Sequence, residues 1–76
     1  MFKPLEFYYV FVNDKLYYEY FLASNANIVR QFISSRINDL SIMMQNDWDF
    51  LTKEQLTEEK QEQIKAMDFK TYMILN

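Results

Sequence analysis

The side chains that could do chemistry are carboxylates, lysines, arginines, hydroxyls and tyrosines, because the 76-residue chain contains neither histidine nor cysteine. Imidazole and thiol are the commonest general base and nucleophile, and their absence leads us to expect no catalytic residue, no cofactor and no enzyme activity. Glycine is absent as well. Walker and Rossmann loops need backbone without Cβ beside the phosphate, so nucleotide chemistry of those types is excluded.

The carboxylates offer one metal-like spacing. Asp47, Asp49 and Glu58 stand at positions 1, 3 and 12 of a calcium-loop count. That loop requires an oxygen ligand at position 5 and a glycine at position 6, where this chain has Leu51 and Thr52, so no metal site is expected. Paired acids of the glycosidase kind can be drawn in any acidic chain, and nothing in the spacing raises one carboxyl above another.

Binding chemistry is better represented. Phe7, Tyr8, Tyr9, Phe11, Tyr17, Tyr18, Tyr20 and Phe21 fall within fifteen positions. Tyrosine supplies large, stiff, half-polar contact area, so Tyr8, Tyr18 and Tyr20 are candidates for a partner-binding face; strand propensity and core packing explain the same residues. A sharper version is a stacking platform for single-stranded nucleic acid. Electrostatics argue against it: the net charge is −3, and only Lys3, Lys15, Arg30 and Arg36 in the first 38 residues could meet phosphate.

Charge divides unevenly, at +1 over residues 1–38 and −4 over residues 39–76. Glu54, Glu58, Glu59 and Glu62 make the acidic half a candidate surface for a basic partner, such as a nucleic-acid-binding protein whose channel it would block. The same glutamates also suit a solvated helix face that serves solubility alone.

The elements that must position these residues follow from pattern. Residues 5–12 and 16–22 are aromatic and β-branched, and Asn13-Asp14-Lys15 separates them, which predicts a β-hairpin. Alternation places Phe7, Tyr9 and Phe11 on one face and Tyr8, Val10 and Val12 on the other. Neither face is polar, so both should be partly covered.

From Ala26 to Met44 the residues Val29, Phe32, Ile33, Ile37, Leu40, Met43 and Met44 recur at helical spacing, after a cap at Ser24 or Asn25. Asn46 to Phe50 reads as a bend whose Trp48 and Phe50 dock on the core. A second, mostly solvated helix should run from Thr52, which opens a capping box with Gln55, to about Met67. Phe69 to Leu75 alternates and should form a third strand.

The expectation is therefore one α+β domain over residues 1–76, ordered β-β-α-α-β, with a three-stranded antiparallel sheet packed on one long helix. Without glycine, turns should fall on Asn13, Asp14, Asn25, Asn46 and Asp47. So small a core, with no disulfide, would gain from a homodimer interface. No apolar run is long enough to span a bilayer and no signal peptide opens the chain, so the expected location is cytoplasmic, without membrane contact.

Short pieces carry a resemblance: Val10-Phe11 with Asp14-Lys15, Phe21-Leu22-Ala23 with Asn25, Arg30-x-Phe32 before Asn38-Asp39, and Asp68-Phe69-Lys70-x-Tyr72-x-Ile74. Together they resemble the small non-structural protein of gokushovirus-like microviruses. That family usually has glycines near its C-terminal strand, which this chain lacks, and residues 45–66 look like a helical insertion. The resemblance implies a phage accessory protein acting in DNA replication or packaging in a bacterial host, and it transfers no site residue.

Two functions remain: a protein that binds and occludes or regulates a host or phage protein, and a factor associated with single-stranded DNA. A metal-dependent hydrolase would be stabilised by its ion through mass action. The expected outcome is an unchanged melting temperature when calcium, magnesium or zinc is added in excess, read by differential scanning fluorimetry.

Overall fold

A computed structural model describes residues 4–75, so Lys3 lies outside the described residues. The hairpin forms as its composition requires. Strand β1 (Glu6–Val12) runs antiparallel to β2 (Lys15–Ala23), and Asn13 and Asp14 make the two-residue turn with φ of 51° and 66°. Positive φ at both central residues matches the twist of a hairpin, and Asn and Asp are the residues that tolerate it in a chain without glycine.

The helix predicted over 26–44 is divided. Asn25 caps α1 (Ala26–Ile37) by accepting from the Ile28 N–H at 3.1 Å. At Asn38 the backbone turns left-handed, with φ 53° and ψ 32°, and its N–H closes on Ser34 O at 3.0 Å. Asp39 then caps a new helix, α2 (Leu40–Gln45), accepting from the Ser41 N–H at 3.0 Å and the Ser41 hydroxyl at 2.7 Å. The apolar spacing runs on through Asn38-Asp39, but side chains that bond their own backbone compete with helix continuation, and here they win.

The expected bend at Asn46 to Phe50 contains a strand, β3 (Trp48–Leu51), antiparallel to β1 with Val10 opposite Phe50. The docking of both aromatics holds: Phe50 is buried and Trp48 packs beside it, their rings stacked at 6.3 Å. Asn13 ties the start of this strand to the hairpin turn, donating to Asp47 O at 2.7 Å and accepting from the Asp47 N–H at 2.8 Å.

The second long helix is also divided. Gln55 accepts from the Thr52 N–H at 2.9 Å, the reach-back half of the capping box, yet only one 3₁₀ turn (Lys53–Gln55) follows. Leu56 is extended, Thr57 caps anew, and α3 covers Glu58–Ala66.

The last strand, β4 (Tyr72–Ile74), pairs with β2 in parallel, so the sheet is four-stranded and mixed, in the order β3-β1-β2-β4. This corrects the three-stranded antiparallel expectation. The chain leaves α3 and crosses the sheet through Phe69, whose ring lies 4.7 Å from Tyr20, and thus enters beside β2 in the direction β2 already runs.

Both faces are covered. On one, Val29 and Ile33 of α1 pack into Tyr8, Val10, Phe21, Ala23 and Phe50. On the other, α3 lies over Phe11, which is fully buried with the Lys60 ammonium 5.4 Å from its ring centre. Gln63 of α3 also caps the open edge of β2 as a neighbouring strand would, accepting from the Leu16 N–H at 2.9 Å and donating to Asp14 O at 2.8 Å.

Asn38→Ala should cost about 1–2 kcal/mol, the penalty for a Cβ residue in the left-handed region, whereas Asn38→Gly should be close to neutral. Urea unfolding of the two variants measures this. Equal loss in both would show that the side chain of Asn38 matters rather than its backbone.

Candidate functional site

Between the paired residues Tyr9 and Phe11, β1 has only Val10, while β2 has Tyr17, Tyr18 and Glu19 between Tyr20 and Leu16. This bulge re-aims side chains that a regular strand would send to opposite faces. Consecutive Tyr17 and Tyr18 consequently lie side by side, ring centres 4.5 Å apart and hydroxyls 3.4 Å apart.

Arg36, in the last turn of α1, gathers all three bulge side chains. Its Nη1 donates to the Tyr17 hydroxyl at 2.9 Å and to the Tyr18 hydroxyl at 3.2 Å, and its Nη2 meets the Glu19 carboxylate at 3.0 Å. The guanidinium carbon also sits 4.6 Å from the centre of the Phe32 ring. Partial burial alone would lower the guanidinium pKa, but the bonds to Tyr17 and Glu19 outweigh it and leave Arg36 held more firmly in its charged form. Tyr18 is nonetheless 65 % exposed.

On α2, Leu40 is 76 % and Met44 83 % exposed, and Ile42 is exposed as well. The helical spacing of Leu40 and Met44 predicts core, and the break at Asn38-Asp39 turns them outward; Met43 alone of that helix packs against the core. Trp48, which follows α2, reaches Tyr17 at 6.5 Å between ring centres. Its indole N–H is buried without a hydrogen-bond partner among the described residues, a loss of about 1–3 kcal/mol for such a donor.

No protein family, curated protein or solved structure matches the chain.

The residues singled out from sequence do not form one surface. Tyr8 is buried in the core under α1 and presents nothing to a partner, which removes it from the candidates: its position in β1 points to the α1 face. Tyr18 is exposed beside Arg36. Tyr20 lies half-buried on the opposite face, stacked on Tyr9 at 5.4 Å and touching Phe7, Phe69 and Tyr72.

The glutamates are all exposed, Glu54 in the 3₁₀ turn and the others along α3. Glu58 and Glu59 sit in the first turn of α3, where negative charge favours the helix dipole, and Glu62 reaches Lys65 at 3.5 Å. Asp49 is in β3 and Glu58 opens α3; among the described residues no three acidic side chains gather into a metal-holding group. Nor is any helix among them long and apolar enough to cross a membrane.

Sequence reasoning missed Arg36 and Glu19 as members of the site. Neither carries a signal of its own, since their meeting depends on the bulge and on where α1 ends.

Burial raises the Tyr17 phenol above its ordinary 10.0; the Tyr18 hydroxyl adds to this, and Arg36 opposes it without cancelling it. Burial also raises Tyr8 and Tyr9. A raised pKa means that the folded state keeps protons the unfolded chain would release, so this stability is present below about pH 10 and lost as pH climbs through the folded values. The phenolate absorbance titration of the folded protein should therefore be displaced upward, with Tyr17→Phe removing a late-ionising group. A titration matching that of the urea-unfolded chain would contradict the placement.

Proposed function

We propose that this chain is a non-catalytic, phage-type accessory protein that binds another protein through the side of the fold formed by the bulge, the end of α1 and α2, and thereby occludes or regulates it. The observation that carries the reading is Tyr18, which is 65 % exposed while Arg36 fixes its hydroxyl. An exposed aromatic held in one rotamer meets a partner without much further loss of entropy, and Tyr, Trp and Arg are the residues that dominate binding energy at interfaces.

Leu40, Ile42 and Met44 supply the adjoining apolar area, with Asp39 and Asp47 flanking them. A fitting partner has an apolar groove with a basic rim. The glutamates of α3, on the opposite sheet face, act at longer range by steering a basic partner, an effect on association rate that salt weakens. The microvirus resemblance supports the phage setting and a bacterial cytoplasm as the place of action.

A second reading, a factor that binds single-stranded DNA, is favoured by the aromatic cluster of Phe7, Tyr9, Tyr20, Phe69 and Tyr72, with Lys53 and Lys65 bordering a cleft beside Tyr9. Its rings are already packed on one another, Tyr9 and Tyr20 almost parallel at 7°. A base would have to separate them before stacking.

Affinity capture from a bacterial lysate distinguishes the two. On the leading reading Tyr18→Ala or Met44→Ser weakens capture of a defined protein by about tenfold or more, as expected at an interface hot spot. Glu58→Lys, Glu59→Lys and Glu62→Lys together should instead slow association and reduce its salt dependence. Retention of a labelled oligonucleotide at about 50 mM salt, lost in Tyr20→Ala and weakening steeply as salt rises, would reverse the order of the readings.

A further inference from the structure

We propose that α3 is a displaceable cover, which lifts from the sheet and melts as one unit while the hairpin, β3 and α1 stay folded. Its opening bares Phe11 and the sheet edge at Asp14 and Leu16. The device lies on the sheet face away from Tyr18 and does not depend on the function of that surface.

Packing makes α3 the weakest part of the fold. Among the described residues, the core cluster and the half-buried side chains packed on it include none from α3, and no residue of α3 is itself buried. Phe11, which α3 covers, is fully buried yet stands outside that cluster.

Open clefts border α3 on three sides. One of about 550 Å³ separates Lys15 and Leu16 from Ala66 and Met67, and another of about 500 Å³ lies between Asp14 and the first turn of the helix. Ile64 and Gln61 line a third, of about 230 Å³, with Tyr9 and Leu56. An element with few buried apolar contacts opens at a lower free energy than the core does.

What holds α3 down is a polar latch. The single side-chain amide of Gln63 makes both bonds to the sheet edge, accepting from the Leu16 N–H and donating to Asp14 O, so the two break together. Lys60 reaches the Asp14 carboxylate at 3.1 Å, but that aspartate side chain is 77 % exposed, and such a pair contributes little.

Once the latch breaks, α3 has nothing to keep it helical. It is nine residues long, and isolated helices shorter than about 12–15 residues are marginal in water, so detachment and melting coincide. The chain stays anchored on either side, by β3 on β1 and by β4 on β2, where the Leu75 N–H donates to Leu22 O at 2.8 Å. The opposite layer is unaffected, because Val29 and Ile33 of α1 are buried in the core cluster.

Native-state hydrogen exchange of the full chain, read by NMR where exchange reports the opening equilibrium, tests this. The amides of Gln61 and Met67, bonded within the helix to Thr57 O and Gln63 O, and that of Leu16 should exchange about tenfold or more faster than the β1-β2 ladder, with little dependence on urea. Ile33→Val weakens a contact kept in the opened form. It should speed the ladder amides by about two- to tenfold and leave those of α3 unchanged. Gln63→Ala removes a contact present only in the closed form while favouring the helix, and should speed both sets by about tenfold. In an all-or-none fold every amide would respond alike to either substitution. Acceleration of the α3 amides by Ile33→Val equal to that of the ladder, or α3 amides as protected as the ladder in the wild type, would overturn the proposal.

Discussion

A hairpin whose two faces are both apolar is the constraint on which the rest of this fold depends. Tyr8, Val10, Phe21 and Ala23 point one way and Phe7, Tyr9, Phe11 and Tyr20 the other, so a single covering layer would leave half of the aromatic area in water. At about 25 cal/mol per Å² of apolar surface, a chain this short cannot leave that area exposed and still offset its ordering entropy. The α1 layer covers one face, and the 3₁₀ turn, α3 and Phe69 cover the other.

Covering both faces with so few residues explains the short elements. The break at Asn38-Asp39 lets the chain turn back after α1, so that β3 follows α2 directly and pairs with β1. Likewise the interruption at Leu56-Thr57 sets α3 so that Lys60 reaches both Phe11 and Asp14, the latter at 3.1 Å, and Gln63 reaches the β2 edge. Each interruption has a side chain that can replace the lost helix bonds, Asp39 in one case and Thr57 in the other.

The surface features are by-products of the same economy of length. The β2 bulge brings Tyr17, Tyr18 and Glu19 within reach of one guanidinium, and the turn after α1 leaves three apolar side chains of α2 exposed. Because α3 occupies the opposite face, the acidic helix and the exposed tyrosine belong to different sides of the molecule. A surface combining Tyr18 with Glu58, Glu59 and Glu62, which linear order suggests, is not formed.

Local chemistry is what the sequence determined by itself: the hairpin and its Asn13-Asp14 turn, the Asn25 cap, the amphipathic start of α1, the docking of Trp48 and Phe50, and the α+β class. These depend on alternation, helical periodicity and the backbone preferences of Asn, Asp and Thr, all of which act over a few residues. Tertiary structure alone decided the parallel entry of β4, the pairing of β3 with β1, the exposure of Leu40 and Met44, the burial of Tyr8 and the meeting of Arg36 with three bulge residues. Periodicity cannot say which apolar face of a strand becomes core or where a helix stops when its stripe continues past a competing cap. Those outcomes depend on which distant segment arrives to cover each face, and that is settled only when the whole chain is packed.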